Sequence, residues 1–336
     1  MVQEKRVSYM NKKALSFIVV IVLLCIATIY SATSGSIQVS FTELVNGLIS
    51  GTNNDVQVIK DLRLPRIIIA IFAGAALSVS GVLLQSVMRN PLAEPGIIGV
   101  SSGAGFMTML MVSIFPTLFF FTPLFAFLGG ALAFFLVYSF SWKSGLDPLR
   151  MILIGVAINA VFTSLSQTFH YRGSYTSSMV TEVTTSTLSM KKWADVEIMV
   201  IYGSIGLILA ILVYSWCNYL ALEDKTAKNL GLNVNVARFV ISAIAVLLAS
   251  VATATAGLFV FVGLLVPHIG RILVGTDHKW LIPFSSLLGA LLILLSDTLG
   301  RTIIAPNEIP ASIIMALIGG PFLIFLLRKS DRIYGN

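Results

Sequence analysis

Charged residues are scarce in this chain of 336 residues: Lys, Arg, Asp and Glu make up 11% of it, while hydrophobic residues make up 57%. An ordinary soluble domain has about 25% charged residues, so the composition excludes a soluble globular protein. It also excludes a disordered chain, because disordered segments are poor in hydrophobic residues. The chain is therefore predicted to lie in a lipid bilayer.

Motifs that mark catalytic or metal sites are missing as well. The sequence has no GxxxxGK[ST], HExxH or CxxC pattern. Its two cysteines, Cys25 and Cys217, fall inside apolar runs, where a small buried side chain is expected. The histidines His170, His268 and His278 are too dispersed along the chain to indicate a metal site. No catalytic residue, cofactor or metal is predicted, and the chain is not expected to be an enzyme.

The spacing of the few charges gives a helix count, because a hydrocarbon core of about 30 Å needs roughly 20 apolar residues per helix. Six charge-free intervals each fit one helix. The intervals 95–142 and 239–270 are long enough for two, with a turn near 115–123 and a break near Gly257. The prediction is an all-α membrane protein with ten transmembrane helices and both termini on the same side.

The distribution of basic residues predicts the orientation. Threading the ten helices with the N-terminus inside puts 15 of the 22 Lys and Arg residues on the cytoplasmic side, so both termini are expected there. The expected organisation is a cytoplasmic tail over 1–13, one transmembrane domain over 14–329 and a tail over 330–336. A cleaved signal peptide over 1–33 is disfavoured by its long apolar run. The net charge of +7 does not indicate nucleic-acid binding, since the basic residues are spread thinly.

Two acidic residues flank the last two predicted helices near the outer face. Asp297 and Glu308 are expected there as solvated carboxylates, so the helix interiors are predicted to hold no buried acid or base. This argues against a proton pump and against an intramembrane hydrolase. A passive pore remains, or a pathway whose energy comes from another chain.

Local patterns support this arrangement. Ser40-Phe41-Thr42-Glu43 is a capping box that opens an amphipathic helix over 41–49. Gly74 with Ser78, and Gly99 with Gly103, are pairs of small residues four apart, which are predicted to let helices pack closely.

The loop 222–236 is the most informative polar segment. It begins with acidic residues, continues to a lysine and then a glycine, and so predicts a short helix whose charges complement its dipole. From the residues alone, an ordinary connector and a site that docks into a partner's groove are both open. The residues of interest are Glu223, Ala227, Leu230, Gly231 and Leu232.

Several motifs, weak singly, together resemble the iron-complex and cobalamin (FecCD/BtuC-like) importer permeases, the membrane subunits of type II ABC importers. The similarity runs from about 15 to 329. The motifs are Leu62-Arg63-Leu64-Pro65-Arg66, Gly74-Ala75-Ala76-Leu77-Ser78-Val79-Ser80-Gly81, Asn90-Pro91-Leu92-Ala93-Glu94-Pro95-Gly96, Lys228-Asn229-Leu230-Gly231, Phe261-Val262-Gly263-Leu264-Leu265-Val266-Pro267-His268, Gly275-Thr276-Asp277-His278, Glu308-Ile309-Pro310 and Gly319-Gly320-Pro321.

The resemblance implies the type II ABC importer permease fold, in the cytoplasmic membrane of a bacterium, with a second permease subunit that is the same or paralogous. It also implies that the chain hydrolyses no ATP and that the segment from Glu223 to Leu232 docks onto a cytoplasmic ABC ATPase dimer. Arg63, Arg66 and Arg301 match basic positions that bind an extracytoplasmic substrate-binding protein.

The cargo expected from the resemblance is an iron complex. How common each cargo is in the family favours ferric siderophore first, haem second and cobalamin third, and no residue decides among them. The segment 183–188 departs from the family's Trp-x-x-Gly-Ser stretch, although Trp193 is kept. From a different class, a channel or secondary transporter that works without an ATPase is the alternative.

Overall fold

The computed structural model describes residues 2–35, 39–50, 53–141, 148–168, 188–189, 191–305 and 307–334. Within these ranges the chain forms helices and turns and no strand. The helices are α1 (Val2–Thr33), α2 (Phe41–Ser50), α3 (Asn54–Val58), α4 (Leu64–Met88), α5 (Val100–Ile114), α6 (Thr122–Ser141), α7 (Pro148–Thr168), α8 (Trp193–Leu212), α9 (Tyr214–Leu220), α10 (Asp224–Asn229), α11 (Val234–Ala256), α12 (Val262–Val274), α13 (His278–Thr302) and α14 (Ala311–Tyr334).

The predicted ten-helix, all-α architecture is confirmed for the described residues. Seven helical segments are long and apolar enough to cross a membrane, and three shorter apolar helices lie in α5, α12 and α14. The two long intervals divide as predicted. The helix α5 ends at Ile114 and α6 begins at Thr122, while α11 ends at Ala256 and α12 begins at Val262.

The first and last helices extend beyond the apolar runs that predicted them. The helix α1 begins at Val2 rather than at Ala14, and α14 continues to Tyr334. The polar residues at both ends are mostly ordinary helix formers. A helix can therefore continue past its hydrophobic run. The spacing of charges predicts only the apolar part of such a helix.

The capping box at the start of α2 is formed as predicted. The Ser40 amide donates to Oε2 of Glu43 at 2.9 Å, and the Glu43 amide donates to Oγ of Ser40 at 3.2 Å. The hydrogen bond from the Ser40 backbone, followed by that from its hydroxyl, lowers the pKa of Glu43 below its ordinary value. Both donors favour the ionised carboxylate.

The helix α4 lies at the centre of the bundle. All its side chains from Ala73 to Met88 are buried, and α8, α11, α12 and α13 pack around it. The helix α1 lies outside, mainly against α13, while α5, α6 and α7 pack together on the far side of α11. A helix that is apolar all round is expected in such a central position.

Small residues let the neighbours of α4 approach it at backbone distance. A Cβ atom on Gly74 would lie 2.1 Å from the carbonyl oxygen of Gly289 in α13, and one on Gly81 would lie 2.0 Å from that of Gly263 in α12. The Ser78 hydroxyl donates across the first interface to the Ser285 carbonyl at 2.7 Å. The predicted packing role of Gly74 and Ser78 is therefore confirmed.

The second predicted pair of small residues has two different roles. Gly103 packs as expected, since a Cβ there would lie 2.5 Å from the Gly129 carbonyl oxygen in α6. Gly99 precedes α5 with φ +87°, a left-handed conformation that glycine adopts without strain, and a Cβ there would also lie close to α7, at 3.2 Å from the Asn159 backbone nitrogen. The spacing of the pair does not distinguish a packing glycine from a turn glycine.

A methyl group at Gly74 should disrupt the interface of α4 with α13. Gly74→Ala forces a Cβ into the Gly289 backbone, and overpacking of this kind costs about 1–3 kcal/mol or more. Thermal unfolding of the purified protein should show a clearly lowered midpoint.

The matched control is Gly320→Ala in α14, where a Cβ would meet no heavy atom within 4 Å. This change should leave the midpoint equal or slightly higher, because Ala is preferred to Gly in a helix. Equal losses in the two variants would contradict the close approach of α4 and α13.

Candidate functional site

A buried ion pair joins the start of α4 to the end of α13. Arg66, in the first turn of α4, donates through Nε to both oxygens of Asp297 at 3.0 and 2.9 Å, and through Nη2 to Oδ1 at 2.8 Å. Arg66 is 8% exposed and Asp297 is 1% exposed. The geometry is the forked arrangement in which guanidinium and carboxylate interact most strongly.

A second carboxylate takes the remaining nitrogen of Arg66. Nη1 donates to Oε1 and Oε2 of Glu308 at 3.0 and 2.8 Å, and the Ser189 hydroxyl donates to Oε2 at 2.7 Å. The Glu308 side chain is 36% exposed, unlike that of Asp297. Partial burial raises the pKa of Glu308, but the charge of Arg66 and the Ser189 hydrogen bond outweigh this and hold the pKa below its ordinary value.

Two more arginines bind the last turn of α1. Arg63 donates to the Ala32 carbonyl at 2.8 Å, and Arg301 donates to the Ser31 carbonyl at 2.7 Å and to its hydroxyl at 3.1 Å. The last four carbonyls of a helix have no partner within the helix, and cations are favoured there by its dipole. These two arginines therefore cap α1.

We name this group the arginine cluster; it consists of Arg63, Arg66, Arg301, Asp297, Glu308 and Ser189. The three arginines that the sequence indicated do lie together, but each is only 8% exposed. Their predicted role in docking stays a prediction. The expectation that Asp297 is a solvated carboxylate is wrong, because its charge is compensated inside the bundle by Arg66.

A second buried acid, Glu94, lies in the connection between α4 and α5, outside the helix interiors to which the prediction referred. This residue is 1% exposed, and its Oε1 accepts the Phe261 amide at 3.0 Å, at the start of α12. The carboxylate thus satisfies backbone donors that would otherwise be orphaned. The sequence signal was an acid between two apolar segments, and it was not recognised as a helix cap.

At the opposite end of α4, an arginine holds the segment before α10. Arg89 donates to the Leu220 carbonyl at 2.7 Å and to the Leu222 carbonyl, and forms an ion pair with Asp224 at 2.6 Å. Arg238 reaches the same carboxylate at 2.9 Å. Burial raises the pKa of Asp224, but Arg238 and Arg89 outweigh this and lower it. Neither arginine was predicted to have this role.

The three apolar side chains predicted to form one edge of this segment do not all face the same way. The short helix α10 is present, with Glu223 at its N-cap and Gly231 at φ +85° just beyond it. Ala227 is fully buried within the chain and Leu232 packs against the core, whereas Leu230 is 59% exposed. Of the three apolar side chains, that of Leu230 is the most exposed.

The histidines lie where polar contacts are available. His278 lies at the start of α13; its Nδ1 is 2.7 Å from Oδ1 of Asn218, and its Nε2 is 2.7 Å from Oγ of Ser86. The His268 ring packs edge-on against Phe322. No group of three metal-binding side chains occurs among the residues that the structure describes. His170 and the segment 183–187 lie outside the described residues, while Leu188 is buried.

Comparison with known proteins identifies the family. The pattern of the FecCD transport family matches residues 23–329. The chain belongs to the FecCD transport family. It is 41% identical over 322 residues to the "Probable heme-iron transport system permease protein IsdF" of Staphylococcus aureus, an alignment that covers 96% of this chain and 98% of that protein.

Solved structures agree with a FecCD fold. "An inward-facing conformation of a putative metal-chelate type ABC transporter" matches with a TM-score of 0.78 and 30% identity, covering 94% of this chain and 99% of that chain. PsaBC from Streptococcus pneumoniae in complex with Fab matches with a TM-score of 0.60 at 17% identity, covering 85% of this chain and 95% of that chain, and supports the fold alone. The chain is thus a multi-pass transport permease with the type II ABC importer permease fold.

Neutralising Asp297 should destabilise this FecCD permease strongly. Asp297→Asn leaves Arg66 without its buried counter-charge, and breaking a buried pair costs about 3–5 kcal/mol. Glu308→Gln is the matched control, because a partly exposed pair contributes only about 1 kcal/mol or less. Thermal unfolding should give a much larger loss for Asp297→Asn, and equal losses would contradict the assigned difference in burial.

Proposed function

We propose that this chain is the membrane-spanning subunit of a bacterial importer for an iron complex, driven by ATP that a separate ABC ATPase hydrolyses. The observation that carries the proposal is the 41% identity to a haem-iron permease over nearly the full length of both chains. The chain has no GxxxxGK[ST] phosphate-binding loop, so the energy would come from a partner chain.

We propose haem as the first cargo to test and ferric siderophore as the second. The order differs from that suggested by the frequency of cargoes in the family, because the relative described above is named for haem-iron transport. The metal-chelate transporter that shares 30% identity supports an iron chelate more generally and keeps the siderophore in the comparison.

We propose that the ATPase binds at α10, on the cytoplasmic side. Leu230 offers an exposed apolar side chain beside a helix that Arg89 and Arg238 anchor through Asp224. A contact made by Leu230 would therefore act on α10 and, through Arg89, on the end of α4. Both termini are proposed to be cytoplasmic, in agreement with the distribution of basic residues.

We propose that a substrate-binding protein docks at the opposite end, over the arginine cluster. The cluster holds three guanidinium groups and two carboxylates, so it suits a partner that presents carboxylates. A second permease subunit would complete the transport path.

Uptake by reconstituted vesicles tests the proposed function. The permease would be incorporated with the ATPase and binding protein encoded beside its gene, and haem and ferric siderophores would be offered in parallel. We expect uptake that requires ATP and the binding protein and is greatest for haem. Transport by the permease alone would instead support a channel or secondary transporter.

Substitution of Leu230 tests the coupling role. Leu230→Asp places a charge in the proposed apolar contact, where an unpaired buried charge costs several kcal/mol. We expect normal insertion, loss of ATPase co-purification and loss of uptake, whereas Leu230→Met should retain all three. Ala227→Asp would not test docking, because Ala227 faces the interior of the chain. If the ATPase still co-purifies with the Leu230→Asp variant, the docking role is contradicted and this segment is an ordinary connector.

A further inference from the structure

Each of the three nitrogens of Arg66 already donates to a carboxylate within the chain. Nε and Nη2 donate to Asp297, and Nη1 donates to Glu308. Nη1 donates to both oxygens of Glu308, so an incoming carboxylate can bind this nitrogen only after Glu308 has left. One N–H of Nη2 has no partner among the described residues, but Nη2 lies against the buried Asp297.

The two carboxylates differ in how easily they can leave. Asp297 lies inside α13, is 1% exposed and makes three hydrogen bonds with Arg66. Glu308 lies in the connection between α13 and α14, and its side chain is 36% exposed. Its Oε2 also accepts a hydrogen bond from the Ser189 hydroxyl. Breaking a buried pair is costly, whereas partly exposed pairs contribute little. Glu308 is therefore the exchangeable partner.

The backbone beside Glu308 can remain in place during such an exchange. The amide of Ile309 donates to the Gly300 carbonyl at 2.8 Å, which fixes the chain to α13 immediately after Glu308. A rotation of the Glu308 side chain would then suffice to expose Nη1 of Arg66.

We propose that Glu308 occupies, within the chain, the position on Nη1 of Arg66 that a carboxylate of the substrate-binding protein takes on docking. Glu308 is then an internal competitor of the partner, and Asp297 is the positioning residue that keeps Arg66 in place during the exchange. This inference rests on the proposed docking over the arginine cluster.

The charge balance of the cluster favours an exchange over a simple addition. The guanidinium group of Arg63 lies close enough to influence Arg66 electrostatically, and that of Arg301 lies close enough to influence both Arg66 and Glu308. One carboxylate replacing another on Nη1 leaves the charge around these arginines unchanged. The released Glu308 side chain moves to water, where its charge is solvated, so no buried charge is left unpaired.

The test is the affinity of the binding protein for the permease with its ATPase in lipid nanodiscs. Glu308→Gln keeps the side-chain shape and removes the competing charge. We expect binding to become tighter by about two- to fivefold, as the loss of an ion pair that contributes about 1 kcal/mol or less allows. The control is Asp61→Asn, an exposed acid at the same end that is not among the partners of Arg66 in the described chain; it should change the affinity less than twofold.

A second variant keeps the test decisive if Glu308→Gln folds poorly. Ser189→Ala removes one of the two groups that hold Glu308 and should also tighten binding, but by less. Unchanged or weaker binding in the variant that folds would overturn the competition, while normal binding by the unchanged permease would still support docking. If the unchanged permease does not bind the protein at all, docking at this end and the inference both fail.

Discussion

The ion pair between Arg66 and Asp297 is the interaction on which the arrangement of this end of the bundle depends. A charge in the apolar bundle is stable only when it is matched, and here a forked guanidinium meets a carboxylate that is 1% exposed. The pair fixes the start of α4 against the end of α13. Arg63 and Arg301 then reach the last carbonyls of α1, so three helix ends are held by one set of charges.

The central helix α4 connects the two proposed partner sites. Arg66 lies in its first turn and Arg89 at its C-cap, and the 25 residues between the helix bounds span roughly 37 Å. Backbone contacts at Gly74 and Gly81 pack this helix tightly against α13 and α12. The two proposed partner sites therefore lie at the two ends of one tightly packed helix.

The helix count, the two divided intervals and the capping box were all predictable because each depends on residues close together in sequence. The pairing of Arg66 with Asp297 was not, because the two residues are 231 positions apart and only the fold brings them together. For the same reason Asp297 was expected in solvent. The spacing of Ala227, Leu230 and Leu232 predicted an apolar edge on this segment, but which of these side chains is exposed depends on how α10 packs against the rest of the chain.

A structure of the assembled transporter with its binding protein docked would test this account most directly. We expect Arg66 to keep its hydrogen bonds to Asp297, while a carboxylate of the binding protein replaces Glu308 on Nη1. A docked complex in which Arg66 still binds Glu308, or in which Asp297 has released Arg66, would contradict it.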